Sequence, residues 1–157
     1  MNRGIHKRKH KGFSLVELII VIAIMAILAG ALAPALIRYI GKTRRTTDVR
    51  SAGELQAALQ RALARSEFES PGSDLVVILR EGDTASTPAN SIKDELLVEL
   101  TNNVPHIKSY PDYYWYIVYN GSSGSVPEVH LTDSANGQPI YELYPDKQDF
   151  IEMDNDN

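Results

Sequence analysis

The chain has no cysteine among its 157 residues, which excludes disulfides and thiolate metal sites and leaves packing alone to hold any folded head. Histidine is scarce as well. Of four, His6 and His10 sit in a basic N-terminal stub, and only His106 and His130 lie beyond it, among ordinary strand or loop residues. There is no H-E-x-x-H, no P-loop and no G-x-S-x-G, and the adjacent carboxylates Asp94 and Glu95 read as the solvent face of a helix. No catalytic group, metal site or cofactor is therefore expected, and the chain reads as a non-enzyme. Positive charge is thin in the second half: residues 67–157 hold 17 acids against Arg80, Lys93, Lys108 and Lys147. Before them the balance reverses, with Arg38, Lys42, Arg44, Arg45, Arg50, Arg61 and Arg65. A basic stalk thus carries an acidic head, and that acidity argues against a nucleic-acid partner.

What is present in excess is one apolar run. From Phe13 to Ile37 the only ionisable side chain is Glu17, and about 25 residues at roughly 1.5 Å each suffice to cross a hydrocarbon layer of roughly 30 Å. The run reads as a membrane-spanning helix. Its N-terminal edge is the informative part, because five Lys/Arg within residues 3–11 end abruptly at Gly12 and an acid follows four residues after Phe13. A cleaved secretory signal would use Ala31-Leu32-Ala33 as its site, but the preceding run is too long and Pro34 would be the new N-terminus. An ordinary anchor explains the length and has no use for Glu17, since a carboxylate inside a bilayer costs on the order of 3 kcal/mol. One plain reading of Glu17 remains, compensation of the helix dipole in the first turns.

Lys11-Gly12-Phe13-Ser14-Leu15-Val16-Glu17, followed by Pro34 as the twenty-second residue counted from Phe13, resembles the class III signal sequence of type IV pilins and related pseudopilins. The resemblance covers residues 8–45 closely and is architectural beyond. It implies a long N-terminal α-helical spine packed on a small antiparallel sheet, an α+β fold. It also implies cleavage between Gly12 and Phe13 by a prepilin peptidase, N-methylation of Phe13, and polymerisation by an ATPase and a platform protein. Glycine suits the scissile position because it permits close backbone approach. On this reading leader removal takes five of 16 Lys/Arg, leaving 11 against 20 acids and a net charge of −9. Glu17 then acquires a partner, the freed amine of Phe13 on a neighbouring subunit, which is cationic at neutral pH with a pKa of about 7.7–8.0. The chain departs from many Gram-negative pilins in lacking a C-terminal disulfide loop, and it looks somewhat like pilins of Gram-positive anaerobes.

Topology follows from the basic leader, placed in the cytoplasm with the head outside, although basic residues flank both ends of the run. Gly30 and Pro34 predict a kink or local melting, because proline removes one helical hydrogen bond and crowds the carbonyl four residues earlier. The free protein can nevertheless look nearly continuous there. The run Arg38 to Arg45 suits anionic lipid headgroups or acidic patches of neighbouring subunits. Val49, Ala52, Leu55, Ala58, Leu59, Ala62 and Leu63 recur at spacings of three and four, with Arg50, Glu54, Gln56, Gln60 and Arg61 off that face. The expected divisions are a leader at 1–12, a membrane half of the helix at 13–37, an amphipathic half at 38–66 and a head at 67–157.

Within the head, Ser70-Pro71-Gly72-Ser73 ends the spine, Asp74–Arg80 reads as a strand, Glu81–Asn90 as a loop, and Ser91 as the cap of a helix bearing Ile92, Leu96, Leu97 and Leu100 on one face. Tyr113–Tyr119 reads as a central strand largely covered on both faces, in preference to an aromatic ligand patch. Asn120–Ser125 is a turn, and two further strands, Val126–Thr132 and Pro139–Tyr144, flank Asn136-Gly137. The sequence from Asp146 onward reads as a frayed acidic end without calcium-loop geometry. The function expected is a self-assembling structural subunit held in the membrane and then polymerised. The alternatives are a pseudopilin of a secretion or DNA-uptake system and a membrane-anchored binding module.

Overall fold

The computed structural model describes residues 13–65, 74–121 and 125–153. The elements, in order, are helix α1 (Leu15–Arg65), strand β1 (Asp74–Leu79), helix α2 (Ile92–Glu99), strands β2 (Tyr114–Asn120), β3 (Glu128–Thr132) and β4 (Tyr141–Tyr144), and a short helix α3 (Gln148–Glu152). Cα packing divides the chain into two compact units, residues 1–37 and residues 38–157. Helix α1 supplies the described part of the first and continues into the second.

The second unit is an α+β arrangement in which α1 packs on a four-stranded sheet of order β1-β2-β3-β4, every neighbouring pair antiparallel. Strand order follows chain order, which keeps pairings local, and α2 occupies the connection between β1 and β2. The core joins Ala52, Leu55, Ala58, Leu59 and Ala62 of α1 to Val77, Leu79, Trp115, Ile117, Val129, Leu131 and Leu143 of the sheet, with Leu96 and Leu97 from α2. Small alanines at every turn of α1 let the helix approach the pleated surface closely, while the leucines fill its gaps. The periodic face expected from the sequence is the buried one, and Arg50, Glu54, Gln60 and Arg61 are exposed. Gln56 departs from that division. It is buried beside the apolar stripe, because the contact surface of α1 is wider than a narrow seam.

The aromatic strand is central, paired with β1 on one side and β3 on the other. Its two faces are covered unequally, where the sequence suggested that both are largely covered: Trp115 and Ile117 are fully buried, whereas Tyr114, Tyr116 and Val118 are half-buried. One sheet face meets α1 and the other has no second layer among the described residues, so the strand alternates buried and half-buried. Tyr113 falls just before the strand and stacks on Tyr110, which stacks in turn on Tyr141, with ring centroids 4.9 and 5.1 Å apart.

The acidic end is more ordered than its composition suggests. Phe150 on α3 is buried and lies 5.7 Å from the Tyr141 ring, so one aromatic anchor holds a turn of helix that charge alone would not. Residues 154–157, the Ser70–Ser73 stop and residues 122–124 of the Asn120–Ser125 turn lie outside the described residues.

Candidate functional site

The first described turn of α1 explains how an acid is accommodated at the head of an apolar helix. Ser14 precedes the first helical residue, and its hydroxyl accepts from the Val16 N–H at 3.3 Å. The Glu17 carboxylate reaches back and accepts from the Ser14 N–H at 2.9 Å. This is a reciprocal cap, S-x-x-E, in which two backbone donors that the helix cannot satisfy are met by side chains. The pattern Ser14-Leu15-Val16-Glu17 is legible in the sequence, although dipole compensation alone does not specify it. In the single chain Glu17 is solvent-exposed and engaged locally.

From there to Ile40 the large apolar side chains are all exposed, including Phe13, Ile20, Ile24, Leu28 and Leu36. Helix α1 is long and apolar enough to cross a membrane, and the apolar window has none of its surface buried within the chain. Such a surface requires lipid or other protein around it. The helix runs unbroken through Gly30 and Pro34 in the single chain, which is the near-continuity allowed for the free protein. No atom beyond the helix's own backbone lies within 4 Å of where a Gly30 side chain would begin. Gly12, the expected cleavage residue, and the basic leader lie outside the described residues.

Past Ile40 the polar stretch is only partly solvated, and Arg45 of the run expected to meet lipid headgroups or neighbouring subunits turns instead into its own chain. Arg38, Lys42 and Arg44 are exposed. Arg45 is buried, and its Nε donates to the Ile151 carbonyl of α3 at 3.4 Å. One turn on, Asp48 is completely buried, its two oxygens accepting from the Lys108 and Ser109 N–H groups at 2.8 Å each. These residues tie α1 to α3 and to the α2–β2 connection. The Trp115 indole adds to the latter, donating to the Pro105 carbonyl at 2.7 Å. No periodicity signals the burial of Arg45 and Asp48, since their partners lie 60 or more positions away.

Asp94 also departs from a solvent-face charge. It is buried on α2, accepts from Ser86 N–H at 2.9 Å and Asn90 N–H at 3.2 Å, and its own N–H donates to the capping Ser91 hydroxyl. The Ser86 and Asn90 N–H groups hold its pKa below the ordinary aspartate value, against the opposing effect of burial. His106 Nδ1 lies 2.6 Å from a Glu81 carboxylate oxygen, and His130 sits beside Glu128 on β3. Neither is joined by further potential ligands: among the described residues no group of three or more His, Asp or Glu side chains could hold a metal ion.

No curated protein and no solved structure matches the chain significantly. Residues 7–33 match the family model of the prokaryotic N-terminal methylation motif. That match spans Gly12, Phe13, the Ser14–Glu17 cap and Gly30, and an exposed apolar helix of membrane-spanning length follows it. The N-terminal segment of this chain therefore carries a type IV pilin-like class III signal motif, as precursors of the pilin and pseudopilin kind do, at the head of a helix long and apolar enough for membrane anchoring.

Proposed function

We propose that the chain is the structural subunit of a type IV pilus-like filament. Prepilin peptidase cuts between Gly12 and Phe13, the Phe13 amine is methylated, and the subunit waits in the cytoplasmic membrane with leader inside and head outside. An assembly ATPase and its platform protein then extract it into a surface fibre serving adhesion, motility or aggregation. The divisions that serve this cycle are the leader 1–12, the membrane half 13–37, the amphipathic half 38–66 and the head 67–157. The part played is structural, without a catalytic step of its own.

The observation that carries the reading is an acid retained at the head of the apolar, exposed stretch that runs to Ile37 in α1. In lipid that acid sits near the interface. In a bundle of such helices it is desolvated, and its best partner is a cation offered by every copy, the Phe13 amine of the next subunit. Forming that pair exchanges the local bond to Ser14 N–H for an intersubunit one, which sets register between neighbours. Gly30 and Pro34 supply the place where α1 yields during packing, since Pro34 leaves the Gly30 carbonyl without its helical donor.

N-terminal sequencing of the processed chain is expected to return Phe13, and Met1 or Pro34 would overturn the assignment of the cleavage site. Glu17→Ala is expected to leave processing intact and to abolish filaments, and normal filaments from that variant would refute the register role. A chain missing from long filaments yet required for secretion or DNA uptake would instead be a pseudopilin.

A further inference from the structure

We propose that successive copies of this chain dock through an aromatic groove on the head, which receives the exposed basic run of a neighbour's helix α1. The inference rests on the filament reading above and names the head-level contact that reading leaves open.

The groove, about 300 Å³, lies between β4 and α3. The rings of Tyr141 and Phe150, with Met153, give it an apolar lining, and Glu142, Asp146 and Asp149 stand around it. All three acids are exposed and none forms an ion pair among the described residues. Two have backbone partners: Glu142 accepts weakly from Asp146 N–H and Asp146 from Gln148 N–H. The nearest cation in sequence, Lys147, is exposed and unpaired among the described residues. An apolar lining with carboxylates around it suits a long basic side chain, whose methylenes lie along the rings while the cation meets the acids.

The same chain offers that occupant. Arg38 and Lys42, one turn apart on the same side of α1, are exposed and make no ion pair among the described residues, whereas Arg50, Arg61 and Arg65 of α1 form ion pairs within the chain. Unpaired cations on one element and unpaired acids around a groove on another are complementary between copies. Because donor and acceptor differ, the contact is head-to-tail, leaves one of each free at the ends, and so propagates a filament instead of closing a dimer. Surface charge pairs are screened beyond about 8 Å at physiological ionic strength, so the contact steers and aligns subunits and weakens with salt.

The test uses the full chain in its own cells, counting sheared filaments and checking Phe13 processing by mass spectrometry. Arg38→Glu/Lys42→Glu and Glu142→Lys/Asp149→Lys are each expected to lower filament yield at least tenfold with processing intact, and the combined quadruple variant to recover most of it. Normal yield from either pair, or no recovery in the combination, overturns the inference. Loss of processing in Arg38→Glu/Lys42→Glu overturns it too, since the run would then serve the lipid surface. Because the chain is cysteine-free, Lys42→Cys with Asp149→Cys gives an independent readout should a reversed variant fail to fold. Oxidised filaments are expected to run as a covalent ladder absent from either single variant, and monomer alone refutes the contact. Failure of the filament reading looks different, with no filaments and no processed Phe13 from the unaltered chain.

Discussion

Asp48 offers the sharpest test of how the head is held to its helix. Its carboxylate is fully buried and meets two consecutive backbone donors, Lys108 N–H and Ser109 N–H, at 2.8 Å. Hydrogen bonds to a charged group contribute about 1.5–3 kcal/mol each, and a buried donor left without an acceptor costs about 1–3 kcal/mol. Against this stands the desolvation of the carboxylate, which Asp48→Ala relieves. The net expected loss for Asp48→Ala is about 3–5 kcal/mol, a large share of the roughly 5–15 kcal/mol available to a domain. Asp48→Asn keeps the shape and one acceptor but turns an amide NH₂ toward the second N–H, so its loss should be smaller, about 2–3 kcal/mol. The assay is urea unfolding of the detergent-solubilised chain followed by Trp115, the single tryptophan and fully buried. The midpoint should fall with unchanged slope. Hydrogen exchange supplies a local check: the Lys108 and Ser109 amides should be protected in the native chain and lose that protection selectively in Asp48→Ala. A loss below about 1 kcal/mol, or unaltered exchange at those two amides, would refute the assignment of Asp48 as the clamp on the α2–β2 connection.

Other consequences concern the head. A Cβ on Gly137 would meet the Thr132 and Ser134 hydroxyl oxygens in the β3–β4 connection, and Thr132 is fully buried; Gly137→Ala should therefore cost about 1–3 kcal/mol, read as a lowered thermal midpoint. Asp94 has a depressed pKa set first by the Ser86 and Asn90 N–H groups. Its contribution should be fully present above the unfolded aspartate value of about 3.9 and fade as pH falls through the lower folded value. Acid titration of Asp94→Asn should show that part of the acid-side slope missing. Tyr110 is raised to about 12, chiefly by burial and then by its hydrogen bond with Tyr141. The neutral ring is the one the fold accepts, so its contribution is complete below about pH 10 and is lost as pH rises from there towards 12. Phenolate absorbance should show Tyr110 ionising after the exposed tyrosines, and Tyr110→Phe should flatten the alkaline fall in stability.

The sequence alone determined the features whose causes are local or periodic. A basic stub, Gly12-Phe13, Glu17 and Pro34 in fixed spacing specify the signal segment. The three-and-four spacing of Val49 to Ala62 specifies the face of α1 that the sheet covers, because a helix returns side chains to one side at that interval. Ser91 specified the start of α2 and the aromatic run specified the central strand, each through backbone preferences acting over a few residues.

Tertiary structure alone decided which charges are buried. Arg45, Asp48 and Asp94 look like any solvated helix residues, and each is buried because backbone groups elsewhere meet it: Ile151 for Arg45, Lys108 and Ser109 for Asp48, Ser86 and Asn90 for Asp94. A buried charge is tolerated only with such partners, and no property of the residue or its neighbours in sequence announces where they are. The ordered turn at Phe150 has the same origin, since an acidic segment gains a place only when a ring such as Tyr141 is brought within reach by the fold.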